Sequence, residues 1–185
     1  FVRKIRFVGN REFSDSRLRE IIRTRESRWY RFFSSDDTFD ADRMTLDREL
    51  LRRFYLSNGH ADFRVASAIA ELTPDRKDFF ITFTVEEGVR YQFGGVAIDA
   101  RLRNLDEKDI IDVIEIEEGD WYNAGELKKT IDRLTDAVGT LGYAFIDIRP
   151  RINRDRETRT VSVTFEINEG PRVFVERINI AGNMG

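Results

Sequence analysis

The sequence predicts an α+β fold of two tandem β-α-α-β-β units, each a three-stranded mixed sheet covered on one face by two helices. The first supporting observation is that the chain is written twice. Gly59-His60-Ala61-Asp62-Phe63 returns as Gly142-Tyr143-Ala144-Phe145-Ile146, and Val85-Glu86-Glu87-Gly88 returns as Ile167-Asn168-Glu169-Gly170. The second is that each copy ends in a strictly alternating strand, Phe79, Ile81, Phe83 and Val85 against Val161, Val163, Phe165 and Ile167. The third is a pair of apolar stripes at helical spacing ahead of each hairpin. The repeat divides the 185 residues into units 1–88 and 89–171. Residues 172–185 read as the opening strand of a further unit, because Ile5-Arg6-Phe7-Val8-Gly9-Asn10 recurs as Ile178-Asn179-Ile180-Ala181-Gly182-Asn183. The chain therefore reads as an excerpt from a modular array. Units this small bury only roughly 60% of their unfolded surface, so contacts between neighbours are expected.

Each unit opens on a short alternating strand, Ile5 and Phe7, then Val96 and Ile98. A first helix follows, with Ser14 and Asp106 as N-caps and Leu18, Ile21, Ile22 or Ile110, Val113, Ile114 as its apolar stripe. Trp29-Tyr30 recurs as Trp121-Tyr122 at an offset of 92, whereas Gly59 recurs as Gly142 at 83, so copy one carries nine extra residues, Arg31 to Phe39. The second helix is capped by Asp40 or Asn123. It presents Leu46, Leu50, Leu51, Phe54 and Tyr55, or Leu127, Ile131, Leu134, Val138 and Leu141, and stops at Gly59 or Gly142. The hairpin runs from Asp62–Leu72 or Phe145–Ile152 through turns at Thr73–Lys77 and Asn153–Glu157 into the alternating strand.

Composition narrows the function classes. The content is 41% hydrophobic and 12% aromatic, enough for packed cores and too much for disorder. Net charge is −3, with +1 in residues 1–88 and −4 in the remainder, which is no nucleic-acid footprint. The chain has no cysteine, which excludes thiolate chemistry and fits cytosol and bacterial periplasm alike. No apolar run approaches the roughly 18 residues of a spanning helix, and no stretch of this excerpt reads as a signal peptide. The chain opens inside a strand-like segment, so a signal or membrane domain could lie outside it.

Pro150 lies in the first hairpin strand of copy two, and a residue that cannot donate to a ladder belongs on an edge. At an offset of 83 its counterpart is Ser67, within Val65-Ala66-Ser67-Ala68-Ile69-Ala70, a stretch with neither proline nor charge. Copy one would then expose an edge that natural proteins normally blunt, one open to β-augmentation. The alternative is that small residues simply fill space beneath the second helix.

The β-α-α-β-β unit, the Gly-Asn after the opening strand, the Gly-His/Tyr-Ala after helix two and the closing Glu-Gly resemble polypeptide-transport-associated (POTRA) domains. Leu51 to Val65 is similar to the third such domain of BamA-type outer-membrane protein assembly factors. Glu118-Gly119-Asp120-Trp121-Tyr122-Asn123 with Gly142-Tyr143-Ala144 is similar to the fourth, and Val173 to Ile178 to the start of the fifth. The resemblance implies a periplasmic array, in a parent anchored by a C-terminal membrane β-barrel, that accepts unfolded outer-membrane proteins and docks accessory lipoproteins. It also implies partner binding along an edge strand formed by Phe63, Arg64, Val65, Ala66, Ser67, Ala68, Ile69, Ala70, Glu71 and Leu72. Copy two departs from it at Val96-Ala97-Ile98-Asp99-Ala100, where Gly-Asn is missing. A two-partner-secretion or related transporter is the rival within the superfamily, opposed by the third opening at Gly182-Asn183; a small α+β hydrolase is the rival outside it.

Other candidates are weaker. Trp29, Tyr30, Phe32, Phe33 and Phe39 form an aromatic loop that could meet a partner or pack under its own helices. Gly88, Gly94 and Gly95 read as the joint between units. Asp36, Asp37, Asp40, Asp42 and Asp47 suggest a calcium loop, but Ala41 and Asp47 stand where such a loop needs Gly and a bidentate Glu. His60 is Tyr143 in copy two, which argues for a structural role. No nucleophile, base and oxyanion donor come together, so a non-enzymatic binding scaffold without cofactor or metal is expected.

Overall fold

The protein, represented by a computed structural model, is described over residues 1–26 and 41–170. The aromatic loop (Trp29, Tyr30, Phe32, Phe33, Phe39), the Asp40 cap, Asp36 and Asp37, and the expected strand at 172–185 lie outside the described residues.

Unit one consists of β1 (Val2–Val8), α1 (Asp15–Ile21), α2 (Ala41–Leu56), β2 (Arg64–Leu72) and β3 (Phe79–Glu86). Unit two consists of β4 (Gln92–Ala100), two single-turn 3-10 helices (Glu107–Asp109 and Ile111–Val113), α3 (Ala124–Thr140), β5 (Ile146–Asp155) and β6 (Thr160–Glu169). The sheets have orders β1-β3-β2 and β4-β6-β5. In each, the last strand is central, parallel to the first and antiparallel to the second. The strict alternation read from sequence belongs to these central strands: Ile81, Phe83, Val85 and Val161, Val163, Phe165, Ile167 are buried. Burying one such side chain is worth about 1.5–3 kcal/mol, so the central strand outweighs any single cap of about 1 kcal/mol.

The helices follow the sequence in outline and depart from it in detail. Ser14 caps α1, accepting from the Arg17 amide at 3.2 Å. Asn123 caps α3, accepting from the Gly125 amide at 2.9 Å. The expected first helix of unit two is instead the pair of 3-10 turns, all of whose bonds run three residues back, as from Asp109 to Asp106 and from Val113 to Ile110. Ile110, Ile111, Val113 and Ile114 are β-branched and disfavour an α-helix, and short segments of this kind commonly close as single 3-10 turns. Asp106 still caps, through the Lys108 amide at 3.0 Å.

Both long helices end alike: the amides of His60 and Tyr143 reach back to the Tyr55 and Val138 carbonyls at 3.0 and 3.4 Å across left-handed Gly59 and Gly142. Leu46 and Leu141, expected on the buried stripes, are exposed. Asp47 is buried in place of Leu46. Its carboxylate accepts from the amides of Arg23 (2.7 Å) and Thr24 (3.4 Å) and from the Thr24 hydroxyl, so it ties the segment after α1 to α2.

Glu87 plays the matching part at the hairpin's end. Nearly buried, it accepts from the amides of Arg11 (2.8 Å) and Glu12 (3.1 Å) and from the Tyr55 hydroxyl (2.8 Å). Burial and this carboxylate together push the Tyr55 phenol well above its ordinary range. The turn that Glu87 holds requires Gly9, which has φ +91 and whose added Cβ would collide with the Val85 carbonyl oxygen. The second hairpin turns at 156–159, later than the sequence suggests, because β5 runs on to Asp155 before the Asp155 carboxylate takes the Glu157 amide at 3.0 Å.

Asp47→Ala strands the two buried donors of Thr24 and the part-buried Arg23 amide, and is expected to cost about 2–4 kcal/mol, measured by urea unfolding. Asp47→Asn, which keeps an acceptor oxygen, should lose less.

Candidate functional site

Each sheet has two edges, and three of the four are managed. On β1 the Ile5 amide donates to the Glu26 carboxylate at 3.0 Å, and the Ile5 carbonyl accepts from Arg19 at 3.3 Å. Side chains thus occupy backbone groups that an incoming strand would need. On β4 the chain at 119–122 folds over the strand's start. Gly119 donates to the Phe93 carbonyl at 2.9 Å, Phe93 to Asp120 at 2.7 Å and Tyr122 to Tyr91 at 2.9 Å. On β5 the edge carries Pro150 among Arg149, Arg151 and Arg154, the proline and charge that natural edges use against association.

The remaining edge is β2. Among the described residues its main chain from Ala66 to Leu72 makes no hydrogen bond beyond the ladder to β3. Val65, Ala68 and Ala70 pack against the core, and Ile69 and Leu72 are about half exposed. Arg64 closes the strand's start with a bidentate pair to Glu86 at 2.6 and 2.8 Å, which holds the Glu86 carboxyl below the usual carboxylate range. Phe63, read as part of this edge, lies just ahead of the strand in the core, stacked on Tyr55 with ring centroids 4.1 Å apart.

The register of β2 is not the one the sequence alignment implies. Val65 pairs with Val85 and Ser67 with Thr84, so Ala66 is an extra residue and a β-bulge. Beyond it Ala68 pairs with Phe83, as Pro150 pairs with Phe165. The structural counterpart of Pro150 is therefore Ala68 rather than Ser67. A signal was present in the sequence: the repeat offset falls from 83 at Gly59/Gly142 to 82 at Phe79/Val161, one extra residue in copy one.

Next to the start of β2 lies the joint between units. The connection is 87–91 and includes Gly88, φ +68. Gly94 and Gly95, expected in the joint, lie inside β4 at the register shift between Phe93 and Val96, where a Cβ on Gly94 would press on the Ser162 hydroxyl. The contacts come from the Gly59–Asp62 turn of unit one. The Tyr91 amide donates to the Gly59 carbonyl at 2.8 Å and its hydroxyl to Asp62 at 2.5 Å. Arg154 donates to the Ala61 carbonyl at 2.9 Å and to Asp62 at 2.8 Å. Arg90 donates to the Asn58 carbonyl at 2.9 Å while its guanidinium lies 3.9 Å over the Trp121 ring. Gly59 is required here a second time, because a Cβ at its φ of +95 would meet the Arg90 stem at 2.7 Å. Burial, then the bond to Asp62, raises the Tyr91 phenol above its ordinary value.

His60 does no chemistry visible in this arrangement. It is buried between Phe13 and Tyr55, ring centroids 6.3 and 5.3 Å away. No cluster of three or more His, Cys, Asp or Glu suited to a metal occurs among the described residues.

This architecture, repeated twice, is that of the POTRA family (surface antigen variable number repeat), which matches residues 1–88 and again 91–170. The chain belongs to that family. It is 26% identical over 179 residues to the outer membrane protein assembly factor BamA of Neisseria meningitidis serogroup B, covering 97% of this chain and 22% of that protein. It is 27% identical over 182 residues to BamA of Neorickettsia risticii, covering 98% of this chain and 24% of that protein. The chain thus spans about a quarter of the length of these curated relatives. Among solved structures it resembles POTRA3-5 of Haemophilus influenzae BamA, with a TM-score of 0.74 and 19% identity over 92% of this chain and 66% of that one.

Asp62→Ala removes the carboxylate shared by Tyr91 and Arg154. Residual dipolar couplings should then yield different alignment tensors for the two units, where the native chain gives closely matched ones, while chemical shifts within each core stay in place.

Proposed function

We propose that the chain is a periplasmic scaffold and chaperone-like binding module of an outer-membrane β-barrel assembly machinery, without catalytic activity of its own. Unfolded client strands are held by β-augmentation along β2, and accessory lipoproteins dock on the array. The parent protein is anchored by a C-terminal membrane β-barrel. Family membership and the assembly-factor names of the curated relatives support the setting. No helix among the described residues is long and apolar enough to cross a membrane.

The observation that carries the binding mode is the asymmetry of unit one's edges. Arg19 and Glu26 occupy the Ile5 backbone on β1, whereas β2 keeps its outer backbone groups for a partner. Main-chain bonds to such an edge supply affinity with little demand on side chains, which suits a module that meets many clients. Ala66, Ser67, Ala68 and Ala70 are small enough to let a backbone approach. The Ala66 bulge twists the edge and limits the length of strand it can pair, so the hold is transient rather than tight.

Ala68→Pro tests this reading, because the equivalent position in unit two already carries Pro150 without loss of the β5–β6 ladder. The variant should fold, judged by circular dichroism, and its photo-cross-linking to client strands through residues 66–72 should fall about tenfold, the worth of one or two backbone hydrogen bonds. Outer-membrane protein levels in cells should fall with it. Native levels of both, in a folded variant, would refute the edge as the client site.

A further inference from the structure

A cleft of about 720 Å³ opens between the units where β2 begins. Arg52 comes to it from α2, Arg64 from β2, and Arg154, Arg156 and Arg159 from the β5–β6 hairpin, against only two lining carboxylates, Asp62 and Glu86. This excess of positive charge stands out in a chain whose net charge is −3. Two of the five guanidinium groups are committed: Arg64 to Glu86 and Arg154 to Asp62. The others are loosely held. Arg156 lies 3.8 Å from Asp62 and Arg52 3.8 Å from Glu49, and Arg159 has no ion pair among the described residues. A guanidinium offers five donors in a planar fork that matches a carboxylate, so the cleft retains unused capacity for anions.

Its position sets the kind of anion. Phe63 and Arg64 line the cleft and lead directly into β2, and a second hollow of about 500 Å³ continues past Arg64 and Val65. β2 runs away from the cleft. A strand added antiparallel to β2 therefore runs toward it and delivers its C-terminal residues to the arginines. We propose that this cleft is a carboxylate site for an acidic peptide segment that continues from the C-terminal end of a strand added to β2, fixing that strand's direction and register. The proposal rests on the strand-docking function above. Main-chain pairing alone is indifferent to register, and a charged stop at one end removes the indifference.

The test uses two short fluorescent peptides with the same alternating strand sequence and amidated C-termini, one ending Glu-Glu and the other Gln-Gln. The variant is Arg156→Gln with Arg159→Gln, which removes the 3.8 Å approach of Arg156 to Asp62 but leaves the Arg154 and Tyr91 hydrogen bonds of the joint in place. Residual dipolar couplings matching the native chain's check that the units keep their arrangement. The native chain should bind the Glu-ended peptide roughly three- to tenfold more tightly at low ionic strength, with the preference shrinking as salt is raised. The double variant should lose the preference and keep its affinity for the Gln-ended peptide. No preference in the native chain, or one that survives in the double variant, overturns the carboxylate site. Ala68→Pro separates this from the strand-docking function. Loss of both peptides supports the linked arrangement, and an arginine-dependent Glu preference that persists there overturns the link to β2. Failure of either peptide to bind the native chain, or equal binding of both by Ala68→Pro, refutes strand docking itself.

Discussion

In both units the strand that comes last in sequence takes the middle of the sheet, and the rest of the architecture depends on that placement. A central strand parallel to the first requires a long crossover, which the two helical segments supply while covering one face. It also leaves the first and second strands as edges in every copy. The first edge lies beside the crossover and is closed from there, by Arg19 and Glu26 in unit one and by the chain at 119–122 in unit two. The second edge is the outer arm of a hairpin with no neighbour to close it. Unit two blunts it with Pro150 and arginines, and unit one leaves it open. The same plan is thus solved in two ways at one position, with one copy's outer edge blunted and the other's left open.

The architecture was legible because the repeat could be compared with itself and because the central strands alternate buried and less buried positions along Ile81–Val85 and Val161–Ile167. The details that escaped were set by partners rather than by periodicity. Leu46 and Leu141 fit an apolar stripe, yet the buried place near Leu46 goes to Asp47, since the amides of Arg23 and Thr24 need an acceptor that leucine cannot provide. Asp106 to Ile114 has the apolar spacing of a helix, but its run of β-branched residues disfavours an α-helix and the segment closes as 3-10 turns. Gly94 and Gly95 look like a hinge, and their lack of side chains instead serves an irregularity within β4. The open edge was legible through Pro150. Its register was not, since a bulge is a property of two strands and shows in one only as a single residue's change of offset.

The joint depended even more on contacts distant in sequence. Gly59-His60-Ala61 reads as the end of a helix, and it is one. The same turn offers the Asn58, Gly59 and Ala61 carbonyls and the Asp62 carboxylate to unit two, so the residues that stop α2 also orient the second repeat. Asp62 is mostly shielded and faces one phenol and two guanidinium groups, which compensate the cost of removing its charge from water.

Tyr91 has a consequence that reaches beyond geometry. Its ring is wholly buried in the core of unit two, yet its amide and hydroxyl are satisfied by Gly59 and Asp62 of unit one. If unit one melts, those polar groups lose their acceptors and the second core loses a wall contributed by Ala61. The two repeats are therefore thermodynamic neighbours in the one-dimensional sense, each carrying an interface term on top of its own stability. Folding of one unit thus stabilises the other, and loss of one removes that interface term from its neighbour.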